Sequence, residues 1–223
     1  MATSNSEKRP VYSVSGLMAY ETCPWQYYYS FVRHYPPPIT SSMRRGTSVH
    51  KVIADSVRHP ELIPESVPEE VAPLADAFRQ SRFAVPAIAT EKRFVLPFEQ
   101  ADVRGRIDLI VPREPGLEVV DFKSGNGAGR NDLKDSLQLP IYALATSKLF
   151  DLPADLLHYT YFYLGDATEI SFAASEAGFA QLTERIDSLI ANIGARRFDP
   201  RPGCTCYACE ARRTRRGRSI RSV

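Results

Sequence analysis

The sequence predicts an α/β fold in which a β-sheet is flanked by helices, because paired strand-like runs occur together with long amphipathic helical stretches. The chain has 223 residues, 43% of them hydrophobic, which is enough for one domain with its own core. The clearest observation is a β-hairpin pattern, in which the runs Val103–Val111 and Leu117–Lys123 flank the Pro/Gly segment Pro112–Gly116.

A second hairpin and a long helix are predicted in the C-terminal half. The strand-like runs Leu156–Leu164 and Ala167–Phe172 surround Gly165-Asp166, which indicates a type I′ or II′ turn. Apolar residues at helical spacing follow Ser175, so we expect this serine to cap an amphipathic helix that continues to about Ala195.

Local signals predict the remaining elements. Ser13 or Ser15 is expected to cap an N-terminal helix that breaks at Pro24, and a strand is expected over Ala89–Pro97. Further helices are predicted over about Met43–Val57, Glu69–Arg82 and Asp132–Phe150.

Three charged side chains of the first hairpin are predicted to meet. If its strands pair antiparallel about the middle of their loop, Asp108 lies opposite Asp121, and like charges so placed repel unless a cation compensates them. Lys123 lies on the same face as Asp121, because side chains alternate along a strand. Two carboxylates and an ammonium suit phosphodiester hydrolysis with Mg²⁺ or Mn²⁺. The competing interpretation is a surface hairpin with solvated charges.

The charge is unevenly distributed along the chain. The formal net charge is +2, but Glu210–Val223 contains six arginines and one glutamate, so the rest of the chain carries −3. We expect Arg212 and Arg213 of this tail to contact DNA phosphates, although a disordered, solvated tail explains the same composition. The expected organisation is a flexible leader over 1–11, one domain over 12–209 and a basic, disordered tail over 210–223.

No apolar run of about 18 residues and no signal segment occurs in the sequence. We therefore expect a soluble, cytoplasmic protein that does not bind a membrane.

Four cysteines occur as one plus three: Cys23, then Cys204, Cys206 and Cys209. Disulfides are not expected, since nothing signals export. Four thiolates match the coordination of a [4Fe-4S] cluster or a structural zinc ion, and free thiols are the remaining alternative.

The run after Cys23 is dense in aromatic residues, among them Trp25, Tyr27, Tyr28 and Tyr29. Such side chains either stack on the bases of a single strand or pack in the protein interior.

Taken together, several motifs resemble the PD-(D/E)XK nuclease superfamily. GRIDLI followed by VVDFKSG is similar to motifs II and III, the upstream RRGTSVH ends in His50, and the downstream QLPIYAL carries Gln138 and Tyr142 in Q-x-x-x-Y spacing. The resemblance covers about Tyr12 to Cys209. It is closest to the RecB-like branch, which includes the AddB nuclease domain and the CRISPR-associated exonucleases.

The resemblance implies a restriction-endonuclease-like core with a central mixed sheet flanked by helices. It implies that His50, Asp108, Asp121 and the backbone carbonyl of Phe122 bind the divalent ion, and that Lys123 activates the attacking water. An imidazole beside carboxylates favours Mn²⁺ over Mg²⁺.

Other residues are expected to assist these ligands. The resemblance implies that Gln138 and Tyr142 contact the substrate or the surroundings of the catalytic lysine. Glu91 is expected to have a supporting or structural role rather than to bind the ion. Arg44 and Arg45 are expected to contact DNA.

In the resembling enzymes, one N-terminal and three C-terminal cysteines bind a [4Fe-4S] cluster that ties the two ends together. The spacing Cys204-x-Cys206-x-x-Cys209 departs from the commoner C-x-x-C-x-x-x-x-x-C. We expect the iron-sulfur cluster, with structural zinc as its main rival.

The implied function is a metal-dependent DNA nuclease, most specifically a single-stranded DNA exonuclease in DNA repair, recombination or CRISPR adaptation, with endonuclease activity as a variant. Its expected partners are DNA and either a helicase or CRISPR-adaptation proteins. The alternative is a non-catalytic or partner-dependent DNA-binding module of a helicase-nuclease complex, including a fragment of a larger polypeptide.

Overall fold

A computed structural model describes residues 9–59, 67–129 and 136–220, without the side chains of 215–220. The strands within this part of the chain are β1 (Val11–Ser13), β2 (Ala89–Pro97), β3 (Asp102–Pro112), β4 (Leu117–Lys123), β5 (Leu157–Tyr163) and β6 (Thr168–Ala173). The α-helices are α1 (Val14–Thr22), α2 (Pro24–Tyr27), α3 (Ser41–Arg58), α4 (Ala72–Arg79), α5 (Gln138–Phe150), α6 (Glu176–Gly194) and α7 (Tyr207–Ile220).

The strands form a six-stranded mixed sheet in the order β1-β3-β4-β5-β6, and β2 pairs with β3. The β3–β4 and β5–β6 pairs are antiparallel, whereas β1–β3 and β4–β5 are parallel. A mixed sheet flanked by helices confirms the predicted fold class.

The described residues fall into two compact units. The larger contains Ile39–Phe94 and Gly105–Leu182, and therefore both predicted hairpins except Val103 and Arg104 at the start of the first. The smaller draws its described residues from Met1–Pro38, Val95–Arg104 and Thr183–Val223. The predicted single domain over 12–209 stays a prediction.

In the larger unit, α3 and α4 pack on one face of the sheet. Side chains alternate along β4, so Val120 and Phe122 point to this face while Asp121 and Lys123 point to the other. The buried residues of this core are Val49, Ile53, Val71, Leu74, Phe78, Phe83, Leu109, Val111, Val120, Phe122, Phe162 and Leu164.

Helix α5 contacts β4 and β5, and eight of its 13 residues are buried. Its predicted start at Asp132 lies outside the described residues, and the described helix begins at Gln138. This burial explains why its sequence is apolar on nearly every side rather than amphipathic.

Most predicted boundaries are confirmed. Strand β2 matches the predicted range, and the hydroxyls of Ser13 and Ser175 accept hydrogen bonds from the backbone N–H groups of Gly16 (3.0 Å) and Gly178 (3.1 Å). Helix α3 begins before Met43 because Thr40 caps it, and α4 is shorter than the predicted helix.

The predicted type I′ or II′ turn at Gly165-Asp166 is wrong. Both types require a positive φ at the first central position, but Gly165 has none, and the positive φ of 54° belongs to Ala167. A Cβ at Gly165 would lie 2.2 Å from the Asn126 side chain and 2.7 Å from the Gly125 carbonyl. Glycine is therefore required here by a close approach of the chain, not by its backbone conformation.

In the smaller unit, Tyr27 of the aromatic run is buried, whereas Trp25, Tyr28 and Tyr29 are partly exposed. Tyr27 is 7% exposed, and its ring stacks on Phe31 and Phe198 at centroid distances of 5.3 and 6.0 Å. These contacts favour packing over base stacking for Tyr27.

The C-terminal tail is helical where disorder was expected. Helix α7 continues to Ile220, whereas residues 221–223, like residues 1–8 of the predicted leader, lie outside the described residues. The guanidinium of Arg212 lies 4.7 Å from the ring centroid of Trp25, and Arg213 donates a hydrogen bond to the Cys204 carbonyl (3.1 Å). Contacts within the protein therefore stabilise the start of this segment.

Over the part of the chain that the structure describes, no helix has the length and apolar character needed to cross a membrane.

A buried carboxylate near the start of β4 is surrounded by donors. Both Glu118 oxygens accept hydrogen bonds from Arg82 at 2.7 Å, and further bonds come from Arg113 (3.0 Å) and Thr160 (2.5 Å). Burial raises the pKa of Glu118, but Arg82, Thr160 and Arg113 outweigh it and hold that pKa at about 2.

We expect Glu118→Gln to lower the free energy of unfolding at pH 7 by about 3 kcal/mol, near the lower end for a buried pair because both arginines keep access to water. The folded-state pKa of about 2 lies below the unfolded value of about 4.3, so this stabilisation is present above about pH 4.3 and is lost as pH falls towards about 2. Urea unfolding of both proteins at pH 7 and pH 3 measures the difference.

Glu169→Gln is the matched control, because Glu169 also pairs with Arg82 (2.8 Å) but is 32% exposed. Its expected effect is below about 1 kcal/mol at either pH. A pH-independent effect of Glu118→Gln, or one no larger than that of the control, would contradict the assignment.

Candidate active site

The β3–β4 hairpin places two carboxylates against each other. Leu109 pairs with Val120, and the same register carried one residue further places Asp108 opposite Asp121, as predicted. The two residues are only 7% and 1% exposed. Asp108 accepts a hydrogen bond from the backbone N–H of Phe122 (3.1 Å), which fixes its carboxylate across the hairpin.

Lys123 forms a chain of contacts with α5. Its ammonium lies 2.6 Å from Asp121 Oδ2 and donates a hydrogen bond to Gln138 Oε1 (2.9 Å). Gln138 in turn donates to the Tyr142 hydroxyl (3.2 Å), because residues four apart on a helix lie on one face. The structure thus brings the predicted pair Gln138 and Tyr142 to the lysine.

Tyr161 is a neighbour of this lysine that the sequence did not indicate. Lys123 Nζ lies 5.2 Å from the centroid of the Tyr161 ring, and the Tyr161 hydroxyl is 2.7 Å from Ser136 Oγ. Pairing of β5 with β4 places Tyr161 directly beside Asp121. This contact depends on strand order, which the sequence pattern does not specify.

Burial and neighbouring charges shift the pKa values of the hairpin residues. Burial raises the pKa of Asp121 to about 6, with the Lys123 ammonium opposing this and the Asp108 carboxylate adding to it. Burial lowers the pKa of Lys123, but the Asp121 carboxylate outweighs burial and the net shift is upward. A cation placed between the carboxylates would relieve their repulsion.

His50 reaches the hairpin from α3, where its neighbours Val49 and Ile53 are buried in the core. Its Nδ1 lies 3.3 Å from Asp108 Oδ2, and its Nε2 lies 2.9 Å from the Phe122 carbonyl oxygen. Burial lowers the pKa of His50, but Asp108 and Asp121 outweigh it and raise that pKa.

Glu91 lies closer to the site than its expected supporting role requires. One ligand atom each from His50, Glu91 and Asp108 lies within 4.8 Å of the others. Regular alternation along β2 would place Glu91 on the exposed face with Arg93, but Glu91 has a φ of 52° and its side chain is 14% exposed. Because Glu91 is not a glycine, nothing in the sequence indicates this left-handed backbone conformation.

Arg106 also belongs to the site and was not among the predicted residues. Its guanidinium forms an ion pair with Glu91. It lies two residues before Asp108 on β3, so its side chain emerges on the same face.

This donor set fits a divalent cation. An imidazole nitrogen and several carboxylates are ligands that Mn²⁺ and Mg²⁺ accept, and the opposed charges of Asp108 and Asp121 need compensation. The structure therefore brings together the predicted residues His50, Glu91, Asp108, Asp121, Lys123, Gln138 and Tyr142. Of the predicted DNA-contacting arginines, Arg212 and Arg213 have the partners within the protein described above, and all four assignments stay predictions.

The four cysteines meet in the smaller unit. Their sulfur atoms all lie within 4.8 Å of one another, and Cys23 and Cys209 Sγ are 3.7 Å apart. Cys23 ends α1 and precedes Pro24, whereas Cys209 lies in the first turn of α7. The Trp25 indole N–H donates to the Ala208 carbonyl (3.1 Å), which holds the two segments together.

The thiols differ in acidity. Burial raises the pKa of Cys23, but backbone N–H groups of Arg201 and Gln26 outweigh it and lower that pKa to about 7. Burial raises the pKa of Cys206 and of Cys209. Four thiol groups at this spacing fit a metal centre, since bound metal deprotonates its thiol ligands.

Comparison with known proteins adds three findings. A family model of the PD-(D/E)XK nuclease superfamily matches residues 11–214. Gene 69 protein of Mycobacterium phage L5 is 31% identical over 122 residues, which are 52% of this chain and 40% of that protein, so the match spans less than half of the relative's length. A crystal structure of a candidate exonuclease from Eubacterium rectale has a TM-score of 0.65 at 9% identity, covering 95% of this chain and 92% of that one.

The structural likeness shows a common fold, and the family match reaches from β1 into α7. The hairpin that carries both carboxylates and the lysine lies inside the matched region. The chain belongs to the PD-(D/E)XK nuclease superfamily.

Proposed function

We propose that the chain is a divalent-metal-dependent DNA nuclease and, most specifically, a single-stranded DNA exonuclease. The observation that carries the proposal is the meeting of His50, Glu91 and Asp108 within 4.8 Å beside the Asp121–Lys123 ion pair. Perturbed ionisable groups of both signs in one place are typical of an active site.

The proposed ion is bound by His50, Glu91 and Asp108, with Asp121 and the Phe122 carbonyl completing the set. The imidazole favours Mn²⁺ over Mg²⁺. When bound, such an ion polarises the phosphate and lowers the pKa of a bound water molecule.

Lys123 is the proposed water-orienting group. Its ammonium is held between Asp121 and Gln138, so its position is preorganised before the substrate binds. In this position it orients the water that attacks phosphorus and offsets the negative charge that develops as a phosphate ester bond breaks. Tyr142 and Tyr161 act through contacts with Gln138 and the lysine.

The finer parts of the proposal rest on the motifs. The Q-x-x-x-Y helix and the arrangement of one N-terminal and three C-terminal cysteines support a RecB-like exonuclease, with Arg44 and Arg45 as DNA contacts. Action on single-stranded DNA in the cytoplasm, in repair, recombination or CRISPR adaptation, belongs to this proposal, as does partnership with a helicase or CRISPR-adaptation proteins.

We expect Lys123→Ala to lower the rate of metal-dependent DNA cleavage by about 10²–10³, because a preorganised charge at the reacting phosphate is lost. The assay uses end-labelled single- and double-stranded DNA with Mn²⁺, Mg²⁺ or EDTA. Comparison of 5′ and 3′ labels gives the polarity.

Lys148→Ala is the matched control, since Lys148 is an exposed lysine of α5. It should cleave like wild type, and the melting temperature of each variant shows whether it is folded. If wild type binds DNA but cleaves nothing with either metal, the nuclease proposal fails and a partner-dependent binding role replaces it.

The four cysteines are proposed to bind one structural metal ion. Sulfur atoms around a tetrahedral zinc ion, with bonds of about 2.3 Å, lie about 3.8 Å apart, in keeping with the 3.7 Å between Cys23 and Cys209. In a [4Fe-4S] cluster each thiolate binds a different iron, which holds the sulfur atoms farther apart. The spacing therefore supports zinc over the iron-sulfur cluster that the family motif implies.

The protein purified without added metal should contain about one zinc per chain and no iron, measured by elemental analysis. Cys209→Ser should release the zinc and lower the melting temperature by about 10 °C or more, because binding of a structural metal adds directly to folding stability.

Thr205→Ala is the control, since Thr205 is exposed between two of the ligands. It should keep the zinc. A brown protein with about four irons per chain would establish the cluster instead, and a metal-free protein of unchanged stability would leave the cysteines as free thiols.

A further inference from the structure

Arg106 lies beside the proposed metal site with its charged group open to water. Its side chain is 54% exposed, whereas its partner Glu91 is 14% exposed. The ion pair thus joins a carboxylate inside the site to a guanidinium at its surface. Because Arg106 is largely open to water, this ion pair adds little to the stability of the fold. Stability alone therefore does not account for the placement of Arg106 beside Glu91.

The conformation of Glu91 directs its carboxylate into the site. The residue has a φ of 52° within a strand, a left-handed conformation that is unfavourable for any residue with a side chain. This backbone conformation removes Glu91 from the exposed face of β2 and places it within 4.8 Å of the ligand atoms of His50 and Asp108. The Glu91 carboxylate is therefore placed both to bind the ion and to pair with Arg106.

A divalent ion changes the charge balance of the site, in which three carboxylates face two cations and one imidazole. Glu91, Asp108 and Asp121 are faced by the cations Arg106 and Lys123 and by the His50 imidazole. A divalent ion among these carboxylates takes up their negative charge, so Arg106 keeps a positive charge that Glu91 no longer balances.

Lys123 is less available than Arg106 to bind a phosphate group. Its ammonium is engaged by Asp121 and Gln138, on the face covered by α5. Arg106 has solvent access and a planar fork of donors that matches two phosphate oxygens.

We infer that Arg106 binds a phosphate group of the nucleic-acid strand, and that a divalent ion at Glu91 makes it available to do so. The inference rests on the proposed function and deepens it, because it makes substrate binding depend on the metal through one ion pair. Glu91 is the positioning residue of this coupling.

The experiment compares Arg106→Gln with Arg106 in the Lys123→Ala background, where the expected slow cleavage leaves the DNA intact during a binding measurement. Binding of a labelled single strand is measured by fluorescence anisotropy with Mn²⁺ and with EDTA. We expect about tenfold weaker binding with Mn²⁺, a salt dependence shallower by about one unit, and no change with EDTA.

The affinity for Mn²⁺ itself is the second measurement, made by titration without DNA. Arg106 and Mn²⁺ compete for the Glu91 carboxylate. Without Arg106 this competition is absent, so Arg106→Gln should bind Mn²⁺ about threefold more tightly. The coupling therefore predicts that Arg106→Gln weakens DNA binding but strengthens Mn²⁺ binding. A general loss of structure would weaken both.

Arg93→Gln is the matched control, because Arg93 is an exposed cation on β2 two residues from Glu91. Its effect on DNA binding should be small and the same with Mn²⁺ and EDTA. Arg106→Lys keeps the charge without the fork and should recover part of the metal-dependent binding.

Three results would overturn the inference: equal weakening with Mn²⁺ and EDTA, no weakening at all, or weaker Mn²⁺ binding by Arg106→Gln. A wild-type protein that neither binds Mn²⁺ nor cleaves DNA would refute the proposed function itself. A wild-type protein that cleaves, with no metal-dependent effect of Arg106→Gln, would refute the inference alone.

Discussion

The repulsion between Asp108 and Asp121 is the constraint on which the larger unit depends. Two carboxylates that are 7% and 1% exposed cannot lie opposite each other without compensation. Helix α3 supplies His50 to Asp108, and the strand itself supplies Lys123 to Asp121, with α5 fixing the lysine through Gln138. The helices on both faces therefore complete the electrostatics of the sheet as well as its core.

Strand β4 carries two buried acids with opposite properties. Glu118 is surrounded by two arginines and a threonine, and these hold its pKa at about 2. Asp121, three residues on, has a lysine as its cation and a second carboxylate opposite, and burial raises its pKa to about 6. A fully satisfied charge stabilises one end of the strand, whereas an incompletely satisfied charge at the other end suits a ligand-binding role.

The sequence was sufficient wherever local patterns determine geometry. The loop between β3 and β4 predicted the register that opposes Asp108 and Asp121, and the range of β2 was predicted to the residue. His50, a lone histidine on a helix, was identified through its motif alone.

What the sequence could not predict depends on tertiary contacts or on unusual backbone. The left-handed conformation of Glu91 reverses the face on which its side chain lies, and no glycine marks it. Tyr161 meets Lys123 through the neighbouring strand β5. Gly165 suggested a particular turn, although it is glycine because Gly125 and Asn126 pass too close for a side chain.

The single tryptophan of the chain has a practical consequence. Trp25 donates its indole N–H to Ala208, in the same turn of α7 as Cys209, and its ring is covered by Arg212. Undocking of α7 would expose this ring to water and change its emission. Intrinsic fluorescence of this protein is thus a local spectroscopic probe of the cysteine cluster, which makes it unsuitable as a reporter of events at the β3–β4 hairpin.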